Sequence, residues 1–457
     1  MKRSSGRRVH EVGRGLTLLF MGCCLTWGQR NAIAQGDPSS QRVSTAQLRA
    51  DLDTLLAWIE RVHPEPFAHV TRDEVLQMSA EVSQSWRGDS VSALTGAQGL
   101  TRICRAFQDS HTGLRTMEWL DQMAPVRGNL PLEVQTVAGQ TLIQSNPSGH
   151  LPPGAVLRSI DGRGATVAWQ WALSLVPVEG EGHAASEVAA VRADRAWPAF
   201  AGWAYGLEPG SKAQVVAEWQ GNRVEAALPV SPSPARRTSA QARKSHRDAV
   251  AWEWGADGAP AYLHITRFPY ASRTFDRQLR RFFSGCERRS VPGVVLDLRD
   301  NPGGSVRTMQ QVRSWWGGDE RVWPRQLQVR STPESRDSNA WVRRPRNALK
   351  LAHRAESDDW AAFTLGLGST PVDSVWRQTF DAPLLPARRP FTGALAVLID
   401  GSTASAATTL AAWLAHSRGA LLVGGPTLGS GVSTWGQPVY RNLPATGWPV
   451  MISTAAF

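Results

Sequence analysis

The chain is poor in the residues that build metal sites and disulfide frameworks. It has 4 cysteines and 10 histidines in 457 residues, and no group of them stands at a metal-ligand spacing. No metal or other cofactor is therefore expected. Zinc-finger spacing, aromatic RNA-binding motifs and basic helix repeats are also missing, which excludes nucleic acid as a partner despite a formal net charge of +11. Part of that charge is local. Lys2, Arg3, Arg7, Arg8, Arg14 and Arg30 face only Glu11 in the first 34 residues, and the rest of the chain carries +6. No segment beyond the N-terminus is apolar for long enough to span a bilayer, and no internal repeat is present. Tryptophan is abundant, with 20 residues, and these are expected mainly in the core and at packing interfaces.

The N-terminus has the features of an export signal. Basic residues precede the short apolar run Leu16–Leu25, and Ala32-Ile-Ala34 supplies a small-x-small cleavage pattern. Residues 1–34 are expected to be a signal peptide cut after Ala34, giving a periplasmic or secreted protein. Phe20-Met-Gly-Cys23 resembles a lipoprotein box, but its aromatic first position disfavours that route. Only Cys104 and Cys286 would remain after cleavage. An oxidising compartment permits their pairing, and the sequence leaves open whether they pair or lie buried apart.

Three units are expected after the signal. Residues 41–120 read as helical. Ser44–Ile59 has a capping residue and apolar positions at helical spacing, Thr71–Trp86 repeats the pattern, and Ala97–Phe107 closes on Gln108-Asp-Ser-His-Thr-Gly113. From Leu130 the period changes to that of strands, and residues 125–230 form a β-rich unit with an Ala/Trp-rich insertion at Glu179–Tyr205. A Pro/Ser/Arg linker occupies residues 231–250. Strands and helices then alternate through 251–457, which argues for a layered α/β core. Arg321–Arg389 reads as a long polar insertion within it.

Two segments carry the chemistry. Gly293-Val-Val-Leu-Asp-Leu-Arg-Asp-Asn-Pro-Gly-Gly304 is a buried strand running into a turn whose glycines let backbone N–H groups approach a bound oxygen. Gly393-Ala-Leu-Ala-Val-Leu-Ile-Asp-Gly-Ser-Thr-Ala-Ser405 delivers a serine to the start of an Ala/Leu-rich helix, where N–H groups and the helix dipole favour negative charge. By spacing alone Ser405 is either a nucleophile or a helix cap, and Ser402 and Thr403 could cap equally well. The N–H of Ala406 and that of Gly303 or Gly304 are the candidate oxyanion donors. Asp297 and Arg299 are expected to pair locally, and Asp300 and Asn301 to cap the turn.

Tyr262-Leu-His-Ile-Thr-Arg-Phe268, Asp297–Gly304, Thr403-Ala-Ser-Ala-Ala407 and Gly424-Gly-Pro-Thr-Leu-Gly-Ser-Gly431, in this order, resemble the catalytic core of the C-terminal-processing (tail-specific) and tricorn-core serine peptidases. Leu151–Gly162 likewise resembles the turn and strand of a PDZ module. The resemblance implies a crotonase-like (ClpP/crotonase-type) layered α/β core, preceded by a helical unit and a PDZ-like module. It implies hydrolysis of extended or unfolded polypeptides through an acyl-enzyme, with Ser405 as nucleophile. The C-terminal-processing branch activates its serine with a lysine, and Ser430 stands at that position here. The tricorn-like branch uses a Ser-His pair, which Ser110-His111 matches, making His111 the implied base and Ser110 its support. That branch completes its relay with a glutamate far downstream of the nucleophile, and no such glutamate follows in this sequence, as in a fragment. Thr408 stands where the other branch often has a glutamate. His63 and His264 match no motif and are expected to be structural or exposed. A catalytically defective binding protein on the same scaffold is the alternative reading. An esterase is disfavoured by the absence of a Gly-x-Ser-x-Gly elbow around Ser405.

Overall fold

Apolar spacing accounts for the first helices of the computed structural model, which describes residues 39–123, 127–146, 149–232, 249–256, 258–269, 273–316, 326–338, 366–379, 389–429 and 435–456. The expected signal peptide, most of the linker, much of the polar insertion and Ser430 lie outside these residues. Helix Thr45–Val62 turns Leu48, Leu52, Leu55, Leu56, Ile59 and Val62 into the core, at the spacing that puts them on one face. Ser44 sits at its N-cap, but its side chain makes no capping bond. Thr71, by contrast, forms a complete capping box with Glu74 ahead of helix Arg72–Ser85. The third helix is Ala93–Arg105, which starts four residues before the expected Ala97 because the Ser92 hydroxyl accepts from Thr95 N (3.0 Å) and caps it there.

The middle of the chain is an antiparallel sheet in the order Asn222–Pro229, Lys212–Trp219, Val156–Ile160, Gln140–Ser145, Glu133–Val137. Two helices, Val167–Leu175 and Gly182–Ala204, are inserted between its third and fourth strands in chain order of this group. The longer one is the Ala/Trp-rich insertion. It buries Trp197, Phe200 and Trp203, and Asp194 accepts from Thr136 N at 3.0 Å, which fixes the helix to strand Glu133–Val137.

The later part is layered α/β. Its sheet runs Val250–Glu253, Ala261–Ile265, Gly293–Asp297, Ala394–Ile399, Leu421–Gly424, with the first pair antiparallel and the others parallel. Strand Gly293–Asp297 is central and almost wholly buried, which is why it is apolar up to its final Asp297. Helices Arg273–Arg288, Val306–Arg313 and Ala406–Arg418 share an apolar core with this sheet. Cys104 and Cys286 are both buried free thiols in separate core clusters, so the two do not pair.

A small third sheet ties early residues to late ones. Strand Pro449–Ile452 pairs with Val439–Asn442 on one side and with Gly113–Leu114 on the other. Arg115 N donates to Pro449 O (2.9 Å), and Ser453 N donates to the Thr112 hydroxyl (3.0 Å). The buried Asp51 carboxylate accepts from Ala445 N and Thr446 N, both at 2.8 Å. The turn that follows the third helix is thereby seated against the end of the α/β part.

Candidate active site

Ser405 occupies the turn between strand Ala394–Ile399 and helix Ala406–Arg418. Its backbone lies at φ 53°, ψ −126°, a region L-residues adopt only under constraint, and its hydroxyl makes no capping bond. The capping duty falls elsewhere. Asp400 Oδ1 accepts from Ser402 N (2.9 Å) and Thr403 N (3.0 Å), while the Thr403 hydroxyl accepts from Asp400 N (3.0 Å) and donates to Leu298 O (2.9 Å). Ser405 therefore stands half-buried at a helix N-terminus with a hydroxyl not used to hold the turn.

The glycine turn lies directly against it. A Cβ on Gly303 (φ 91°) would sit 2.7 Å from Ala404 O, 2.8 Å from Ser405 Cβ and 2.9 Å from Ala406 N, so only glycine permits this approach. Gly303 does not offer its own N–H, however. That group donates to Asn301 Oδ1 (2.8 Å), and Asn301 Nδ2 donates to Ile265 O (2.8 Å). Gly303 O and Ser305 N bond to Phe268, leaving the Gly304 N–H between them. Among the described residues neither Gly304 N–H nor Ala406 N–H has an acceptor. Asp297 and Arg299 pair, with Nη2 to Oδ2 at 2.7 Å, and the Tyr262 hydroxyl donates to Asp297 Oδ2 at 2.5 Å. This pair braces the turn from beneath.

The Ser110-His111 turn is built on a buried carboxylate. Asp109 accepts from His111 N (2.8 Å) and the Thr112 hydroxyl (2.5 Å), with His63 Nε2 at 3.3 Å and His111 Nδ1 at 3.6 Å. The last distance is that of an ion pair rather than a hydrogen bond. Burial disfavours a charged His111 ring, but the Asp109 carboxylate and then Glu179 outweigh it against opposition from Arg192, and the ring's pKa lies above its ordinary 6.5. Asp109 is held well below the usual carboxylate range by its two imidazole neighbours, which overcome its desolvation. His63, expected to be structural or exposed, is fully buried and packs 4.6 Å from the Trp435 ring. His264 is only partly buried, on strand Ala261–Ile265.

Glu179 is the residue that the sequence pattern did not reveal. Its Oε1 accepts from the Ser110 hydroxyl (2.5 Å) and Ser110 N (3.2 Å). Burial raises its pKa, opposed by those Ser110 bonds and the neighbouring His111. Donor atoms of Asp109, His111 and Glu179 all lie within 4.8 Å of one another. Glu179 also reaches toward the Ser405 turn. A Cβ on Gly429 (φ 88°) would fall 2.3 Å from Glu179 Oε2, and the preceding Leu428 donates its N–H to Thr403 O (2.9 Å). Thr408 joins the same knot, its hydroxyl lying 3.0 Å from Thr403 O and 3.1 Å from Leu428 O. A continuous series of contacts thus runs from the serine turn through Leu428–Gly429 and Glu179 to Ser110-His111.

A serine freed from capping, N–H groups without acceptors beside it, and a carboxylate-supported histidine are linked by these contacts on a layered α/β core. Residues 260–455 match the model described as Peptidase family S41. No curated protein sequence matches. Among solved structures, mature CPAF complexed with lactacystin is similar at 15% identity, with 90% of each chain covered and a TM-score of 0.59. A CPAF mutant gives 14% identity, 90% of this chain, 89% of that chain and 0.60. The photosystem II D1 C-terminal processing protease gives 15% identity, 90% and 88% coverage, and 0.41. The CPAF likeness shows a shared fold.

Proposed function

We propose that the protein is an exported serine-type peptidase that cleaves extended or unfolded polypeptides through an acyl-enzyme. Ser405 attacks the scissile carbonyl, and His111 takes its proton and returns it to the leaving amine. Asp109 supports the imidazole directly. Ser110 and Glu179 hold it from the second side, Glu179 accepting from the Ser110 hydroxyl. Ala406 and Gly304 supply the N–H groups that stabilise the oxyanion, with Gly303 giving the close approach. The PDZ-like sheet is the natural place for an extended chain to add as a strand. The reaction as written uses no cofactor.

One observation supports this reading above the others: Ser405 is held at φ 53° beside Gly303 and Ala406 with its hydroxyl unused by the turn. A fluorophosphonate probe tests it. The full-length protein is expected to label, and Ser405→Ala to abolish labelling. His111→Ala is expected to slow acylation by about a millionfold, the scale seen when the histidine of a triad is removed. No labelling of the intact protein would favour a binding protein on this scaffold instead. A casein or peptide assay beside a short-chain ester assay then separates peptidase from esterase.

A further inference from the structure

Arg195 lies in helix Gly182–Ala204, outside the residues that touch the serine or the histidine, yet its guanidinium meets both catalytic turns. Its Nη2 donates to Asp400 Oδ2 (2.6 Å), and its Nη1 pairs with Asp300 Oδ1. These two carboxylates sit at the ends of adjacent parallel strands, Gly293–Asp297 and Ala394–Ile399. They are themselves neighbours, because Asp300 N donates to Asp400 Oδ1 (3.3 Å). Asp300 has a left-handed backbone, φ 64°, immediately before Asn301–Gly304. Asp400 Oδ1 at the same time holds the turn that presents Ser405. Like charges this close repel, and the planar fork of an arginine neutralises both while fixing their separation. The same helix packs on the serine turn through Val188 and Val191, which crowd Gly401.

We infer that Arg195 is a positioning residue: it locks the oxyanion turn to the nucleophile turn, so that a helix inserted in the β-rich unit forms part of the catalytic assembly. This rests on the proposed role of Ser405. Arg195 and Asp300 are about half exposed, and ion pairs of that kind contribute little to global stability. The lock therefore acts on geometry, where a misplacement of about 1 Å slows reaction roughly a hundredfold.

The experiment compares the full chain with Arg195→Met and Arg195→Lys. Arg195→Met is expected to slow fluorophosphonate labelling between about tenfold and a hundredfold with an unchanged melting temperature. Arg195→Lys, a point charge that cannot fork, should recover part of the loss. Raising salt should slow labelling of the wild type and leave Arg195→Met unaffected, since a half-exposed ion pair is screened. Hydrogen exchange provides a readout independent of activity: the bonded amides of Asp300, Asn301, Gly303, Ser305 and residues 402–404 are expected to exchange faster in Arg195→Met while the central strands do not change. Wild-type labelling, salt response and exchange in Arg195→Met would overturn the proposal. So would a fall in melting temperature that accounts for the whole loss of rate. Should the wild type itself fail to label, the reading of Ser405 is what fails, and the exchange data still decide whether the clamp exists.

Discussion

His111 is surrounded by opposing influences, and their balance sets a pH dependence. Its raised pKa means that the neutral base forms only at higher pH, so the acid limb of the labelling rate should fall above 6.5. Asp109→Asn removes the main influence raising that pKa and should move the limb downward. Glu179→Gln should move it the same way by a smaller amount, and pH–rate profiles of the two variants test both shifts. Gly303→Ala is a second expectation at this scale. Its Cβ would lie 2.7 Å from Ala404 O at a φ of 91°, so acylation should fall at least tenfold. A backbone strain of about 1–3 kcal/mol should appear in urea unfolding. Ser405, Gly303 and Ser110-His111 were legible because each belongs to a short contiguous motif. Glu179 was not, since a lone glutamate in an Ala/Trp-rich insertion carries no local signal of the turn it will meet. Asp109 was in plain view two residues before the histidine. Its importance follows from burial between two imidazoles, which adjacency in sequence does not show.

Among the elements, those with strong periodicity were read well. The first two helices and the central strands lie close to the expected residues, because one-sided or complete burial writes a period into the sequence. The start of the third helix was misplaced where Ser92 capped earlier than the apolar pattern suggested. The least legible element was helix Gly182–Ala204. Its composition tells of packing, but not that it meets the turns carrying Asp300 and Asp400. Gly401 lets it approach: a Cβ there would lie 2.9 Å from Val191 Cβ and 3.1 Å from Val188 Cα. Gly401→Val should push the helix away and lower the labelling rate by at least tenfold with only a modest loss of stability. Limited proteolysis across residues 177–204 should report the displacement as faster cleavage in the variant.

At the scale of the whole molecule, no local pattern tells that residues near 113 pair with residues near 450. Long-range pairing has no local period, and the ties are made by backbone groups and a few buried side chains. Asp51 is one of these, holding the Ala445–Thr446 turn from the first helix. Asp51→Ala leaves two inward N–H groups unpaired and should cost about 2–3 kcal/mol in urea unfolding. The pairing of Gly113–Leu114 with Val450 and Met451 is another. It makes the shaping of an early turn wait on late residues. Until residues 449–453 have left the ribosome, the Ser110-His111 turn has no partner strand beside it. A chain elongated only as far as residue 448 leaves this early turn unshaped, however much of the first helices has already formed.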